Sequence, residues 1–157
     1  MAERNRLGFE TTMIRILHLI PTAIDFQSER ALAMLVRGLG EGFTQTVESI
    51  GPRGTWRGML SAVRGLRGRH EIDVVHAWGK SSMSAAALGS KSRILYSPIG
   101  FPCDREIRWV KAVHHYRPNE VACTTNTMLR AFVKRGIRQD ALHLIRVGVE
   151  FARIHRR

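Results

Sequence analysis

The sequence is poor in cysteine and has no long run of apolar residues. Its two cysteines, Cys103 and Cys123, cannot build a disulfide framework and do not form a Cys-x-x-Cys motif. We expect both to pack as small apolar residues in a reducing, cytoplasmic setting. No segment approaches the roughly 18 apolar residues that a membrane span needs. Residues 1–12 lack the apolar stretch of a signal peptide, which predicts a flexible N-terminal arm.

Acidic residues are also scarce. The 13 Asp and Glu stand against 25 Lys and Arg, which gives a formal net charge of +12. Such a charge favours anionic partners, among them phosphates, nucleic acid and acidic lipid. Nucleic acid is the least favoured of these, because no helix-turn-helix, zinc-finger or aromatic-basic RNA motif is present. The seven histidines show no spacing with cysteine or carboxylate that would complete a metal site.

The sequence does contain a regular alternation of short apolar runs and amphipathic segments. The runs have the length and β-branched content of buried strands, and the segments between them have helical periodicity. This order predicts an α/β fold: a three-layer Rossmann-like domain with a mostly parallel sheet of about six strands. We assign it to residues 13–150, and residues 151–157 to the start of an interdomain linker or a basic tail. The predicted strands are Met13–Ile20, Thr44–Ile50, Ile72–Ala77, Arg93–Ser97, Glu120–Thr124 and Leu142–Val147.

Capping residues and glycines predict where the helices begin and end. Ser28 is the expected N-cap of the first helix, and Asp104 is the expected cap of the fourth. An alanine-rich helix is predicted over Ser81–Gly89, where small side chains would allow close packing on a sheet. His18 and His76 fall within apolar strands, so we expect buried histidines with satisfied hydrogen bonds.

Six segments follow one another in an order typical of a known family: MIRILHLIPT, SERALAMLVRGL, DVVHAWG, ILYSPIGF, VACTTNTMLRAFVKRGI and LIRVGVE. Together they resemble the N-terminal domain of nucleotide-sugar-dependent, retaining glycosyltransferases of the GT-B fold (group 1, family 4-like). In that family two Rossmann-like domains face each other across a cleft. The N-terminal domain mostly holds the acceptor, and the C-terminal domain mostly holds the nucleotide-sugar donor.

The resemblance implies a carbohydrate or lipid-linked acceptor as the partner of this chain. It implies no cofactor within the chain, since a nucleotide-sugar would bind only with a C-terminal donor-binding domain or a separate chain that supplies it. Sugar transfer requires donor and acceptor to be positioned together. The chain is therefore expected to be incomplete as an enzyme when alone.

Several positions depart from the family pattern, so no catalytic residue is assigned. Gln27-Ser28 stands where the family often has Gly-Gly, and side chains then occupy space that glycines leave for phosphates. Ile99 stands where a sugar-binding His is usual, and Ile offers no polar contact. Trp78 replaces a second expected His, and residues 146–150 read RVGVE instead of Pro-Asn-Gly-Val-Asp.

Loops that follow the predicted strands are the expected walls of the cleft, because ligands of open α/β sheets bind beyond the carboxyl ends of the strands. Ser81, Ser97 and Cys103 have no evident base and orienting group beside them, so hydrolase chemistry is not expected. The predicted substrate-binding residues are Asp25, Gln27, Ser28, Glu29, His76, Trp78, Lys80, Ser81, Gly100, Phe101, Thr125 and Asn126.

Three functions fit the sequence to different degrees. The first is the acceptor-side half of a glycosyltransferase. The second is a non-catalytic module of the same fold that binds an anionic glycan, a lipid or a partner chain. The third, least supported, is a basic nucleic-acid binder. An arginine-rich segment is interpreted either as a peripheral contact with anionic membrane or as a solvated outer helix whose apolar face belongs to the core. Its arginines are Arg53, Arg57, Arg64, Arg67 and Arg69.

Overall fold

The structure, a computed structural model, describes residues 13–22, 24–51 and 56–145. The predicted arm at residues 1–12 and the predicted linker at residues 151–157 lie outside these ranges, so the domain limits remain a prediction. Strands and helices alternate along the described chain. The strands are β1 (Ile14–Pro21), β2 (Phe43–Ile50), β3 (Val74–Trp78), β4 (Arg93–Ser97), β5 (Glu120–Cys123) and β6 (Leu142–Leu144). The α-helices are α1 (Phe26–Gly38), α2 (Trp56–Arg67), α3 (Gly79–Gly89), α4 (Asp104–Tyr116) and α5 (Asn126–Lys134), and a short 3₁₀ turn spans Gln139–Ala141.

The six strands form one sheet in which every neighbouring pair is parallel. Their order is β2-β1-β3-β4-β5-β6, so β1 lies between β2 and β3. The predicted α/β architecture with a parallel sheet of six strands is therefore confirmed. The chain moves one way along the sheet from β1 to β2 and the other way from β3 onwards. This reversal creates a switch point beside β1, the usual location of ligand sites in open α/β sheets.

Strand order also decides which face each helix covers. Connections between parallel strands are right-handed, so the connection that moves in the opposite direction places its helix on the opposite face. Helix α1 therefore covers one face, and α2 to α5 cover the other. The main core lies under α2 to α5, where the largest fully buried side chains include Tyr96, Phe132 and Met83. The α1 face is covered by a single helix within the described part of the chain, which leaves room for a groove.

Helix α2 directs several of its apolar residues inward, although Leu60 is 38% exposed. Val63 and Leu66 are buried and pack in the main core, and the backbone of Val63 lies against Gly89 of α3. Arg64 and Arg67 remain exposed. The apolar face of this helix belongs to the core, which agrees with the interpretation of α2 as a solvated outer helix. None of the described helices is long and apolar enough to cross a membrane.

The helix starts differ from the sequence-based prediction at two caps. Asp25, not Ser28, is the N-cap of α1: its carboxylate accepts hydrogen bonds from the Ser28 backbone N–H at 3.0 Å and from the Ser28 hydroxyl at 2.8 Å. Both residue types cap well, and the carboxylate satisfies two donors at once. Cys103 precedes α4 without a side-chain cap, so Asp104 lies in the first turn. Cys103 is exposed, which contradicts its predicted packing role, whereas Cys123 is buried as expected.

Other boundaries shift by one or two residues. Strand β3 begins at Val74 instead of Ile72, and α3 begins at Gly79 instead of Ser81. Gly79 has a φ of +74°, a conformation that favours glycine, and this lets the chain turn from strand to helix without a loop. The predicted end of β6 at Val147 lies outside the described residues.

Candidate functional site

A groove of about 620 Å³ opens between α1 and the sheet face that this helix only partly covers. Its floor consists of side chains from β3, β4 and β5 that point to the α1 side. One wall is α1 and the other is formed by the loops after β4 and β5 and the start of α5. The residues that line it include Met34, Leu35, Leu39, Leu95, Ser97, Ala122, Thr124, Met128 and Ile145.

Eight of the twelve predicted site residues line this groove: Asp25, Gln27, Ser28, His76, Trp78, Gly100, Phe101 and Thr125. They come from the end of strand β3, from the junction of β1 and α1, and from the loops after β4 and β5, which the parallel sheet brings to one edge. The other four do not line it. Lys80 and Ser81 line a cavity on the opposite side of the sheet, Glu29 lines a cavity between α1 and β2, and Asn126 is exposed at the start of α5.

Ile99 faces away from the groove. The family resemblance implies a histidine at this position. The Ile99 side chain packs against Gly79, since a Cβ added to Gly79 would lie 2.8 Å from Ile99 Cδ1. Ile99 lines the same opposite cavity as Lys80. The loop therefore offers the groove Gly100 and Phe101 instead, and Gly100 adopts a φ of +71° there.

Four polar side chains form a hydrogen-bonded chain across β2, β1, β3 and β4, beneath α1. Gln45 Oε1 lies 3.1 Å from His18 Nε2, His18 Nδ1 lies 3.2 Å from His76 Nδ1, and His76 Nε2 lies 2.8 Å from Ser97 Oγ. At the far end, Gln45 Nε2 donates to the backbone carbonyl of Val36 in α1 at 3.0 Å. This polar chain, Gln45–His18–His76–Ser97, ends at the groove, because Ser97 lines it.

Both histidines of the polar chain are buried, with His18 0% and His76 3% exposed. Burial disfavours the charged imidazolium, so the pKa of His18 is lowered, and burial together with the neighbouring His18 lowers the pKa of His76 to about 3. Both rings are therefore neutral near pH 7. The prediction that these are satisfied core histidines is confirmed by the hydrogen bonds that they make.

Ser97 does have a potential base beside it, contrary to the sequence-based prediction. His76 Nε2 is at hydrogen-bond distance from Ser97 Oγ, as a nucleophile and its base would be. The other nitrogen of His76, however, meets a neutral His18 and not a carboxylate that could stabilise an imidazolium. A base whose pKa is about 3 also has little tendency to take a proton at neutral pH. Hydrolase chemistry remains unsupported, for this physical reason.

Trp78 lies in the floor of the groove and is 6% exposed. Its ring packs at a tilt against the imidazole of His76, with the ring centroids 4.7 Å apart, so the indole covers part of the polar chain. Its indole N–H is buried without a hydrogen-bond partner. Thr125 is the N-cap of α5, and its hydroxyl accepts from the backbone N–H of Met128 at 3.1 Å.

The sequence-based prediction missed the α1 wall of the groove. Met34, Leu35 and Leu39 follow a helical apolar pattern, which normally indicates core residues. These three side chains are only half-buried. The sequence could not reveal this, because it depends on how much of the sheet the helix covers. No group of three or more histidine, cysteine or acidic side chains is arranged to hold a metal ion in the described ranges.

Comparisons with known proteins show a similarity in the fold as a whole. No protein-family model matches the sequence, and no curated protein matches it either. Solved structures do: Anabaena Alr3699/HepE in complex with UDP-glucose superposes with a TM-score of 0.70 at 14% identity, covering 88% of this chain and 45% of that one. The same protein in complex with UDP and glucose gives a TM-score of 0.69.

A UDP-N-acetylglucosamine 2-epimerase is also similar, with a TM-score of 0.61 at 13% identity over 83% of this chain and 47% of that one. The chain thus spans about half the length of each of these proteins. At such low identity the likeness is one of fold, and it agrees with the GT-B-type Rossmann domain that the sequence motifs resemble.

Proposed function

We propose that this domain is the acceptor-side half of a glycosyltransferase, which transfers a sugar from a nucleotide-sugar when a second, donor-binding half is present. The observation that carries the proposal is the groove: it lies between α1 and strands β3 to β5 in a fold shared with a protein solved in complex with UDP-glucose, and eight predicted residues meet there. Within this proposal, the groove holds the acceptor, a carbohydrate or a lipid-linked sugar.

The charges around the groove support binding of the acceptor there and not of the nucleotide-sugar donor. A nucleotide-sugar carries a diphosphate, which proteins usually bind with Arg, Lys or a helix N-terminus free of side chains. The described residues that line the groove include neither Lys nor Arg. The two helix N-termini at the groove already have side-chain caps, the Thr125 hydroxyl at α5 and the Asp25 carboxylate at α1. A diphosphate placed there would face a negative charge. The donor would therefore need groups supplied from outside this domain.

Filling the groove should test the proposal. Gly38 lines the groove, and a Cβ added there would meet no atom within 4 Å, so Gly38→Leu adds bulk without a clash. Gly65→Leu is the matched control, since Gly65 also lies in a helix with open space around it but away from the groove. The assay is transfer of labelled sugar from UDP-glucose to extracted lipids and saccharides, with the domain combined with a donor-binding half.

Gly38→Leu should lower transfer at least tenfold, and Gly65→Leu should leave it unchanged. The domain alone should transfer nothing. Equal transfer by both variants would contradict an acceptor site in the groove, and transfer by the isolated domain would contradict the division into two halves.

A second function is favoured by one observation: the alkyl side chain of Ile99 fills the space against Gly79. With that position apolar, the domain could have kept the fold and lost the chemistry, and it would then bind a glycan, a lipid or a partner chain without transfer. Binding of a glycan in the groove, with no turnover when a donor-binding half is supplied, would favour this alternative.

Contact with anionic lipid is a further part of the proposal. It would use the exposed arginines of α2, Arg64 and Arg67, because the main apolar residues of that helix, Val63 and Leu66, are already packed in the core. Sedimentation with phosphatidylglycerol vesicles, but not with phosphatidylcholine vesicles, is the expected result, and it should weaken as salt is added. Arg64→Gln with Arg67→Gln should abolish it.

A further inference from the structure

The polar chain Gln45–His18–His76–Ser97 has a fixed direction, and this direction determines what its groove end can recognise. The backbone carbonyl of Val36 can only accept, so the amide nitrogen of Gln45 must face it and the amide oxygen must face His18. His18 Nε2 therefore carries a hydrogen. A neutral imidazole has one N–H, so His18 Nδ1 is a bare acceptor.

The same reasoning continues to the groove. Since His18 Nδ1 has no hydrogen, the hydrogen in its 3.2 Å contact comes from His76 Nδ1. His76 Nε2 is then bare, and the Ser97 hydroxyl donates its hydrogen to it across 2.8 Å. Every hydrogen in the polar chain thus points away from the groove. Ser97 retains only lone pairs for a ligand, so at this point the groove accepts hydrogen bonds and cannot donate them.

Asp25, like Ser97, can accept hydrogen bonds from a ligand but cannot donate them. It is exposed at the other wall, its pKa is lowered by the hydrogen bonds from Ser28, and it is ionised near pH 7. Thr124, Thr125 and Gln27 can still donate, but neutral donors alone seldom compensate a desolvated anion. The described lining contains no Lys or Arg. A groove of this composition disfavours an anion despite the net charge of +12.

We propose that the groove binds an uncharged amphiphile whose hydroxylated head group donates hydrogen bonds to Ser97 and Asp25 and whose apolar part lies along α1. This inference rests on the proposed acceptor function and narrows it to a neutral, lipid-linked sugar. Met34, Leu35 and Leu39 supply the apolar wall for the tail, and Ile145 lies at the same groove. The basic character of the protein then belongs to its outer surface and not to this site.

The assignment of hydrogens is tested without any ligand. Two-dimensional ¹H–¹⁵N spectra of the imidazole rings show which ring nitrogen carries the hydrogen. We expect His76 in the Nδ1–H form and His18 in the Nε2–H form at pH 7. A His76 ring with its hydrogen on Nε2 would overturn the inference, because Ser97 could then donate into the groove. That outcome would leave the proposed acceptor function standing.

Ligand selectivity is tested with octyl β-glucoside and octyl sulfate, which share a tail and differ in the charge of the head. Titrations below the micelle-forming concentration, followed by backbone amide shifts, should show octyl glucoside at the Ser97, Thr124 and α1 amides. Octyl sulfate should shift amides of the arginine-rich helix α2 instead. Ser97→Ala should weaken octyl glucoside binding about 2- to 10-fold, the loss of one neutral hydrogen bond.

Ser61→Ala, an exposed serine of α2, is the matched control and should not change the affinity. Displacement of octyl glucoside from the groove by octyl sulfate would overturn the inference, as would equal affinity of Ser97→Ala and the unsubstituted protein. Binding of a free saccharide in the groove without any binding of octyl glucoside would also overturn it, while leaving the proposed acceptor function intact. No shift at the groove with either kind of ligand would count against both.

Discussion

Acid should destabilise this domain because the polar chain contains two neutral histidines that the unfolded chain would protonate. In the unfolded state a histidine has a pKa near 6.5. In the folded domain, burial lowers the pKa of His18, and burial together with His18 lowers that of His76 to about 3. Below pH 6.5 the unfolded state therefore binds more protons than the folded state, and the free energy of unfolding falls as the pH falls.

The size of the effect follows from this difference. A buried neutral histidine contributes its full stability above the unfolded pKa, and the contribution is lost between pH 6.5 and the folded pKa. Each pH unit in that window costs about 1.4 kcal/mol per histidine that stays neutral when folded. From pH 7.5 to pH 4.5, His76 alone should lower the free energy of unfolding by roughly 3 kcal/mol. This is a large part of the roughly 5–15 kcal/mol typical of a domain.

Urea unfolding followed by circular dichroism at pH 7.5, 6.5, 5.5 and 4.5 measures this dependence. In His76→Gln the side chain can still reach Ser97 but cannot titrate, so the drop between pH 7.5 and 4.5 should shrink by about 3 kcal/mol. The variant should itself be less stable at pH 7.5, since its contact with His18 is lost. His70→Gln, which removes an exposed histidine, should keep the drop of the unsubstituted protein.

Two results would refute the reasoning. One is an equal pH dependence in His76→Gln and in the unsubstituted protein. The other is an NMR titration in which the His76 ring of the folded domain takes up a proton near pH 6.5. Either result would mean that a histidine of the polar chain can be protonated in the folded domain.

Further predictions concern packing, capping and a buried hydroxyl. Gly89→Ala should destabilise the domain by about 1–3 kcal/mol, because its Cβ would come within 2.8 Å of a backbone oxygen of α2; Gly65→Ala, with open space around it, should instead be neutral or stabilising by up to about 1 kcal/mol. Thr125→Ala should cost about 1 kcal/mol through loss of the α5 cap, with Thr125→Ser retaining most of the stability. Tyr96→Phe should cost about 1–3 kcal/mol, since the buried Tyr96 hydroxyl donates to Glu106. Urea midpoints measure all of these, and a Gly89→Ala protein as stable as Gly65→Ala would contradict the close approach of α2 and α3.

Local sequence signals were enough to predict the elements of this fold. Apolar runs such as the one in β4 have the length of strands, and the glycines and polar residues between segments mark their ends. Alternation of strand and helix then predicts a parallel sheet, because each helix must bury its apolar face against the strands on either side. Because the carboxyl ends of parallel strands share one edge, most of the predicted loop residues lie together in the groove.

Tertiary structure alone decided which loops share that groove. Lys80 follows Trp78 by two residues, yet the two line opposite sides of the sheet, because α3 starts directly after β3 and crosses to the other face. His18 and His76 are 58 residues apart and meet only because β1 pairs with β3. The α1 wall became part of a site because strand order leaves α1 as the helix covering that face within the described chain. Periodicity reports which side of its own element a residue occupies, whereas strand order and crossover direction determine what that side meets.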